Sequence, residues 1–425
     1  MRIDEFEKQV IRSKSVLIVE PNRYHGEILP GFTTYFQDLG FYVDLFTRNE
    51  VHAESPFSLF RNNAPRTFHG DSADIATALK DERISEYDYI FFSTNVLWES
   101  GVFVGSYLSY LGFVPKARFG ILAVEHNLPF LIEDGAEYQL RQGRVFTLSE
   151  EAYGGGKTLM LNPHRFGAAD YGKRNDHVTR FAVVGGVSRQ AKNIDLLFSS
   201  VQRLLKERRG NFDVTIIGSG ELEIPDPLQG HIKFLGRKDF NALYSTMTEV
   251  DYLLPLLDSG RPEHEKYLHG TSSGIVQLSL GFHVPMVIDG KFSERYGFAE
   301  RNCVRYVESD LYWGILDAIQ MKGETYDEMR DQIELKASEV YSKSLGNLKA
   351  ALMQCENNAA SASIVDDATL EVLRLRDLRN SLSEEINSLS EEINSLSEEI
   401  KRMKASKFWK LRGLYLSLKN KIGLR

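Results

Sequence analysis

Between Phe181 and Asp289 short apolar runs ending in glycine or acid alternate with stretches of helical pattern. FAVVGG (Phe181 to Gly186) runs into two glycines, and VTIIGSG (Val214 to Gly220) does the same about thirty residues later. IKFLG (Ile232 to Gly236), DYLLPLL (Asp251 to Leu257) and VPMVID (Val284 to Asp289) follow at strand–helix–strand spacing. Continuously apolar strands separated by helices are buried on both faces, so the pattern predicts a parallel sheet covered by helices. Such sheets bind ligands at the carboxyl ends of their strands. The glycines and the TSSG turn (Thr271 to Gly274) stand at those ends.

The first half repeats the pattern. SVLIVE (Ser15 to Glu20) reads as an opening strand, followed by the loop PNRYHGEILPG and a helix ending near Leu39. Gly40 suits a helix C-cap and FYVDLF (Phe41 to Phe46) the second strand. YDYIFFST, RFGILAVE and VFTLS read as later strands. The expected fold class is α/β: two doubly wound, Rossmann-like domains, with a coiled coil and an amphipathic helix at the C-terminal end. Residues 1–165 form the first domain and 178–323 the second in this reading. Residues 324–363 are closing helices and a linker, 364–403 the coil, and 404–425 the last helix.

Charge is placed unevenly. The chain carries −8 overall, but Lys401 to Arg425 hold nine Lys or Arg and no acid, so the preceding 400 residues sum to −17 (−8 minus 9). An acidic body argues against a nucleic-acid partner. Two cysteines, Cys303 and Cys355, cannot make a disulfide framework, which suits a reducing cytoplasm. The opening MRIDEFEKQV lacks the apolar core of a secretory signal. No run reaches the roughly 18 apolar residues of a membrane span.

NSLSEEI occurs three times in tandem from Asn380 to Ile400. Leu382, Ile386, Leu389, Ile393, Leu396, Ile400 and Met403 step by four and three, a heptad seam with Ile at a and Leu at d, so a homo-oligomer is expected. SKFWKLRGLYLSLKNKIGLR follows, with Phe408, Trp409, Leu411, Leu414, Tyr415, Leu418 and Ile422 set among Lys and Arg. A basic amphipathic helix edged by Trp and Tyr suits an anionic membrane surface. The expected location is therefore cytoplasmic, peripheral at the inner face of the plasma membrane.

The candidate chemistry lies at strand ends. Gly186 and Ser188 follow the first strand of the second domain, and Lys192 and Asn193 stand where its helix begins; amides and a cation are what a pyrophosphate needs. Gly218 and Gly220 let a ligand approach the backbone. Tyr267, Thr271, Ser272, Ser273 and Gly274 precede a helix whose first amides are free for a phosphate. His25 and His126 follow strands of the first domain, where a base could deprotonate a hydroxyl. GGGKT at Gly154 lacks the leading glycine of a P-loop, no G-x-G-x-x-G follows a strand, and no Asp-x-Asp or Cys/His cluster points to a metal.

In order and spacing, FAVVGGVSRQAKNIDLLFSSVQRLL, VTIIGSGELE, IKFLGRKDFNALYSTMTEVDYLLPLL and HVPMVID resemble the donor domain of GT-B glycosyltransferases, in particular the bacterial group 1 enzymes. PNRYHGE and its flanking strands resemble their acceptor domain. The resemblance implies a nucleotide diphosphate sugar as donor substrate, with no cofactor and no metal, and a glycan or lipid-linked acceptor in cell-envelope polysaccharide synthesis. It places Lys192 at the diphosphate, Gly218, Gly220, Leu235 and Gly236 around base and ribose, and Thr271 to Gly274 at the phosphates. His126 becomes the better base. The family's pair of glutamates separated by seven residues is missing: Glu263 and Glu265 are present, but Thr271 and Ser273 stand eight positions later. A catalytically degenerate subunit that binds a sugar nucleotide or glycan is the alternative.

Overall fold

A computed structural model describes residues 14–60, 63–99, 102–133, 140, 142–168, 177–188, 191–307, 309–359, 389, 392–393, 395–399, 401–402 and 407–421. The chain separates into two compact units, Met1–Ser361 and Ala362–Arg425.

The first unit holds two parallel sheets. The N-terminal one is built from β1 (Ser15–Glu20), β2 (Tyr42–Arg48), β3 (Arg66–Gly70), β4 (Tyr89–Phe92), β7 (Gly120–Glu125), β8 (Val145–Thr147) and β11 (Leu159–Met160), in the order β11-β8-β7-β4-β1-β2-β3. An antiparallel ribbon of β5 (Val96–Glu99) and β6 (Val102–Ser106) follows β4, and a small hairpin of β9 (Ala152–Tyr153) and β10 (Gly156–Lys157) precedes β11. The second sheet is built from β12 (Thr179–Val184), β13 (Phe212–Ile217), β14 (Ile232–Phe234), β15 (Tyr252–Leu253), β16 (Met286–Asp289) and β17 (Cys303–Tyr306), in the order β14-β13-β12-β15-β16-β17. Numbered within its own sheet, that order is 3-2-1-4-5-6, the doubly wound arrangement with its crevice where the order reverses. The N-terminal sheet follows the same order with one further strand.

Burial explains why these runs become strands. All six residues of β1 are buried, as are all four of β4 and of β16. Only a sheet covered on both faces hides successive residues whose side chains alternate in direction. The register is regular, from Ser15 opposite Tyr42 to Glu20 opposite Thr47, and from Thr179 opposite Phe212 to Val184 opposite Ile217. DYLLPLL departs from expectation, with only Tyr252–Leu253 laddered. Pro255 has no N–H to give, and Leu256 adopts φ 53°, so pairing stops there.

One helix ties the two sheets together. Gly323–Ala359 runs 37 residues. Its Tyr326, Met329, Ile333 and Ala337 lie in the cores of the second sheet, whereas Leu348, Ala351, Leu352 and Cys355 lie in a core of the first. A single rigid element thereby crosses from one sheet to the other. Within the second unit, Lys407–Lys421 forms a helix. Of the heptad seam, Leu389, Ile393 and Leu396 are described; Leu382, Ile386, Ile400 and Met403 lie outside the described residues.

Candidate functional site

At the carboxyl end of β12 the chain must turn sharply, and Gly185 does so at φ +110°, its N–H donating to the Ile217 carbonyl at 2.9 Å. A side chain at Gly218 would place its Cβ 1.8 Å from the Gly185 carbonyl oxygen, so the ends of β12 and β13 meet backbone to backbone. Beyond the turn, Lys192 is 5% exposed and donates from Nζ to the Pro255 carbonyl at 3.2 Å. Burial lowers its pKa to about 8. Asn193 is the N-cap of the Ile194–Lys206 helix: Oδ1 accepts the Leu196 N–H at 3.1 Å while Nδ2 donates to Asp258 at 2.7 Å. The carbonyl of Ser188 accepts the amides of Ala191 and Lys192, which sets the turn that delivers the lysine.

Ser273 occupies the N-cap of the Gly274–Phe282 helix, and its side chain caps nothing. The opening amides of a helix lack intrahelical acceptors and sit at the positive end of its dipole. Thr271 carries a buried hydroxyl with no partner, while its backbone forms an antiparallel bridge with Asn127 of the N-terminal sheet.

Facing these groups are the strand ends of the N-terminal sheet. His25 sits in the left-handed region (φ 67°, ψ 23°), with Nδ1 3.5 Å from Glu27 Oε1. The His126 ring lies 4.5 Å from the His25 ring, and its Nε2–H donates to the Ser93 carbonyl at 3.0 Å. Two buried glutamates stand behind them. Glu20 accepts from the Asn22 amide and from the hydroxyls of Ser93 and Thr94, and Glu125 from the Asn127 amide and Asn95. Burial is the largest influence on His25 and opposes its cation, but the hydrogen bond and charge of Glu27, with the charges of Glu20 and Glu125, outweigh it and raise its pKa. Burial, then repulsion from His25, pushes His126 down to about 3, so its ring is neutral.

A cavity of about 360 Å³ joins the two sets. His25, Gly186, Lys192, Gly218, Tyr267, Ser272, Ser273 and Gly274 all line it. His126, Ser188, Asn193, Gly220, Leu235, Gly236 and Thr271 are not among its lining residues. Gly220 (φ +119°) shapes the turn after β13, and the Gly236 carbonyl accepts the Gly218 N–H at 3.1 Å. Leu235 is exposed, its N–H donating to Ile216.

Four further lining residues are charged: Glu27, Glu54, Arg237 and Lys238. Glu27 belongs to the PNRYHGE loop. Arg237 and Lys238 form a basic pair directly after the IKFLG strand, a signal readable in sequence. Glu54 has no such signal, because it reaches the cavity through packing: its carboxylate holds Arg237 and its carbonyl accepts the Phe240 N–H at 3.1 Å.

No protein-family model matches the chain, and neither does any curated protein. Among solved structures it is similar to AviGT4, a glycosyltransferase involved in avilamycin A biosynthesis (12% identity, TM-score 0.47, covering 82% of this chain and 99% of that one). It is also similar to the S. aureus MnaA–UDP co-structure (12%, TM-score 0.44, covering 75% and 91%) and to WaaG, a glycosyltransferase involved in lipopolysaccharide biosynthesis (11%, TM-score 0.43, covering 79% and 98%). These likenesses are loose, and the architecture rests on the chain's own strand order and cleft. With two doubly wound parallel sheets facing each other across a cavity at their strand carboxyl ends, the chain has the GT-B fold.

Proposed function

We propose that this protein transfers a sugar from a nucleotide diphosphate sugar to a hydroxyl of a glycan or lipid-linked acceptor in cell-envelope polysaccharide synthesis. The observation that carries the reading is the pairing, across one cavity, of an anion cradle with a basic imidazole. The diphosphate lies against the Gly185–Gly218 turn and the opening amides of the Gly274–Phe282 helix, with Lys192 as its counter-charge. The base and ribose extend toward Gly220, Leu235 and Gly236, where Arg237 and Lys238 add positive charge. His25, held by Glu27, takes the proton of the acceptor oxygen as that oxygen bonds to the anomeric carbon. The bond to the diphosphate breaks and its electrons stay on the departing phosphate oxygen, where Lys192 and the amides stabilise them in place of a metal. Neutral His126, anchored through Nε2, packs against the His25 ring and orients it from behind the wall.

A screen of UDP-, GDP-, ADP- and dTDP-sugars by thermal shift and donor hydrolysis tests this. Stabilisation by one nucleotide class, lost in Lys192→Ala and accompanied by slow nucleotide release, is expected. No stabilisation by any donor defeats the reading. The missing glutamate pair favours a second one, a subunit that binds the sugar nucleotide without turning it over. Stabilisation with no turnover in the presence of glycan acceptors would select it.

The C-terminal unit supports two further parts of the proposal. Leu389, Ile393 and Leu396, exposed by 52%, 66% and 50%, form an apolar seam that a second copy would cover as a coiled coil. Leu411, Leu414, Tyr415 and Leu418 are exposed on the Lys407–Lys421 helix among basic residues, which suits peripheral attachment to the anionic inner face of the plasma membrane. Among the described residues, no helix is long and apolar enough to cross a membrane.

A further inference from the structure

Ser272, Ser273 and Gly274 reach the cavity from the loop that opens the Gly274–Phe282 helix. That loop is fastened to the opposite domain. Gly270 turns at φ +77°, and both of its backbone groups leave its own domain: the carbonyl accepts the Leu128 N–H at 2.9 Å, and the N–H donates to Glu151 Oε2 at 3.1 Å. A Cβ at Gly270 would stand 2.7 Å from Pro129 Cδ, so a side chain there would push the two domains apart. Thr271 bridges Asn127, and Ser272 Oγ lies 2.7 Å from Ser149 Oγ. Three consecutive residues on the approach to the helix start are thereby set by the N-terminal domain.

Glu151 gathers these contacts. It is buried, and Thr158 fixes its backbone: the Glu151 N–H donates to Thr158 Oγ1 at 3.0 Å, and its carbonyl accepts the Thr158 N–H at 2.9 Å. Oε2 holds Gly270, while Oε1 accepts the Ser149 hydroxyl at 2.7 Å and pairs with Arg295 of the second domain. A carboxylate only accepts, and a hydroxyl has one proton to give. Ser149 directs its proton to Glu151, so Ser272 is the donor between the two serines. What Ser272 offers a diphosphate is then its backbone amide rather than its hydroxyl. Arg295 balances the carboxylate, which would otherwise repel an anion nearby. Glu151 itself does not line the cavity.

We propose that Glu151 is a positioning residue for the donor: from the N-terminal domain it holds Gly270 to Ser272 so that the amides opening the Gly274–Phe282 helix converge on the diphosphate. The proposal rests on the glycosyl-transfer reading for the identity of the anion, but the hold on the loop is measurable without a ligand.

The test compares the full-length wild type with Glu151→Ala, Glu151→Gln and Ser149→Ala. Amide hydrogen exchange of the peptide covering residues 269–276 reports the loop, calorimetric titration with UDP, GDP, ADP and dTDP reports the site, and melting temperature reports folding. Glu151→Ala should speed exchange of the loop by at least roughly fivefold and weaken the nucleotide that binds wild type by roughly tenfold. Glu151→Gln keeps an acceptor oxygen for the Gly270 N–H and should recover part of both losses. Ser149→Ala cuts the link to Ser272 but spares the Arg295 pair, so it should loosen the loop and weaken the nucleotide at an unchanged melting temperature, which decides the matter even where Glu151→Ala fails to fold. Loop exchange unchanged in folded Glu151→Gln and Ser149→Ala, or a loosened loop with undiminished nucleotide affinity, overturns the proposal. Exchange that depends on Glu151 in a wild type that binds none of the four nucleotides would instead defeat the transfer reading and leave the hold on the loop established.

Discussion

At the scale of single residues the cavity sets two titrating groups apart, and each leads to a measurement. His25 is held above its ordinary pKa by the carboxylates around it, against the opposing effect of burial. A base must be neutral to accept a proton, so turnover should fall as pH drops through that raised pKa. Glu27→Gln removes the adjacent charge, so the His25 pKa should fall and the acidic limb of the rate profile should move to lower pH by the same amount. NMR titration of His25 beside pH–rate profiles checks both, and a limb that stays put while the pKa moves assigns the limb to another group. Lys192 gives the complementary case. A desolvated cation with one carbonyl partner is costly to bury, so Lys192→Met should leave the apoprotein as stable or more so. Its nucleotide affinity should nonetheless drop by about 1.5–3 kcal/mol, roughly tenfold to a hundredfold, the value of a hydrogen bond to charge. Calorimetric titration with the stabilising nucleotide measures this.

At the scale of elements, strands buried on both faces were legible because continuous apolar runs leave little choice. FAVVGG, VTIIGSG and SVLIVE became β12, β13 and β1 within a few residues. β3 was not legible: RTFHG is polar, and it pairs only on one side, at the edge of the sheet. The β5–β6 ribbon was missed because a hairpin inserted after β4 breaks the strand–helix rhythm on which the reading relied. In the cavity, Gly218 and Ser272 to Gly274 could be found from local pattern, whereas Glu54 could not, since only tertiary packing brings it to Arg237. Asn193 shows the limit of reading residue type at a helix start, where its side chain is used as a cap. The glycines differ in the same way. Gly218→Ala drives a Cβ into the Gly185 carbonyl and should cost several kcal/mol, on the order of an overpacked core, and distort the diphosphate turn. Gly274→Ala meets nothing within 4 Å and should leave the melting temperature unchanged or raised by up to about 1 kcal/mol of stability. Equal losses in the two variants, by thermal denaturation, would show that close approach at Gly218 is not what the fold requires.

At the scale of the whole molecule, the heptads and the basic helix address affinity for a surface. Each basic residue near an anionic bilayer contributes on the order of 1 kcal/mol, and buried apolar side chains add to it. A lone short helix of this kind binds weakly and reversibly, but a second copy joined through the coil turns the second contact into an intramolecular one. Attachment should therefore need both segments. A chain ending at Ala360 should sediment as a smaller oligomer than the full protein, and a chain lacking Lys401 to Arg425 should keep the oligomer but lose binding to vesicles containing anionic lipid. The full protein's binding should weaken with salt, because screening lengths fall from about 10 Å at 0.1 M to about 3 Å at 1 M. Donor hydrolysis should survive both truncations, since the cavity lies wholly within the first unit. Undiminished vesicle binding by the protein without its last 25 residues removes the membrane role, and an unchanged mass after loss of the heptads removes the coil.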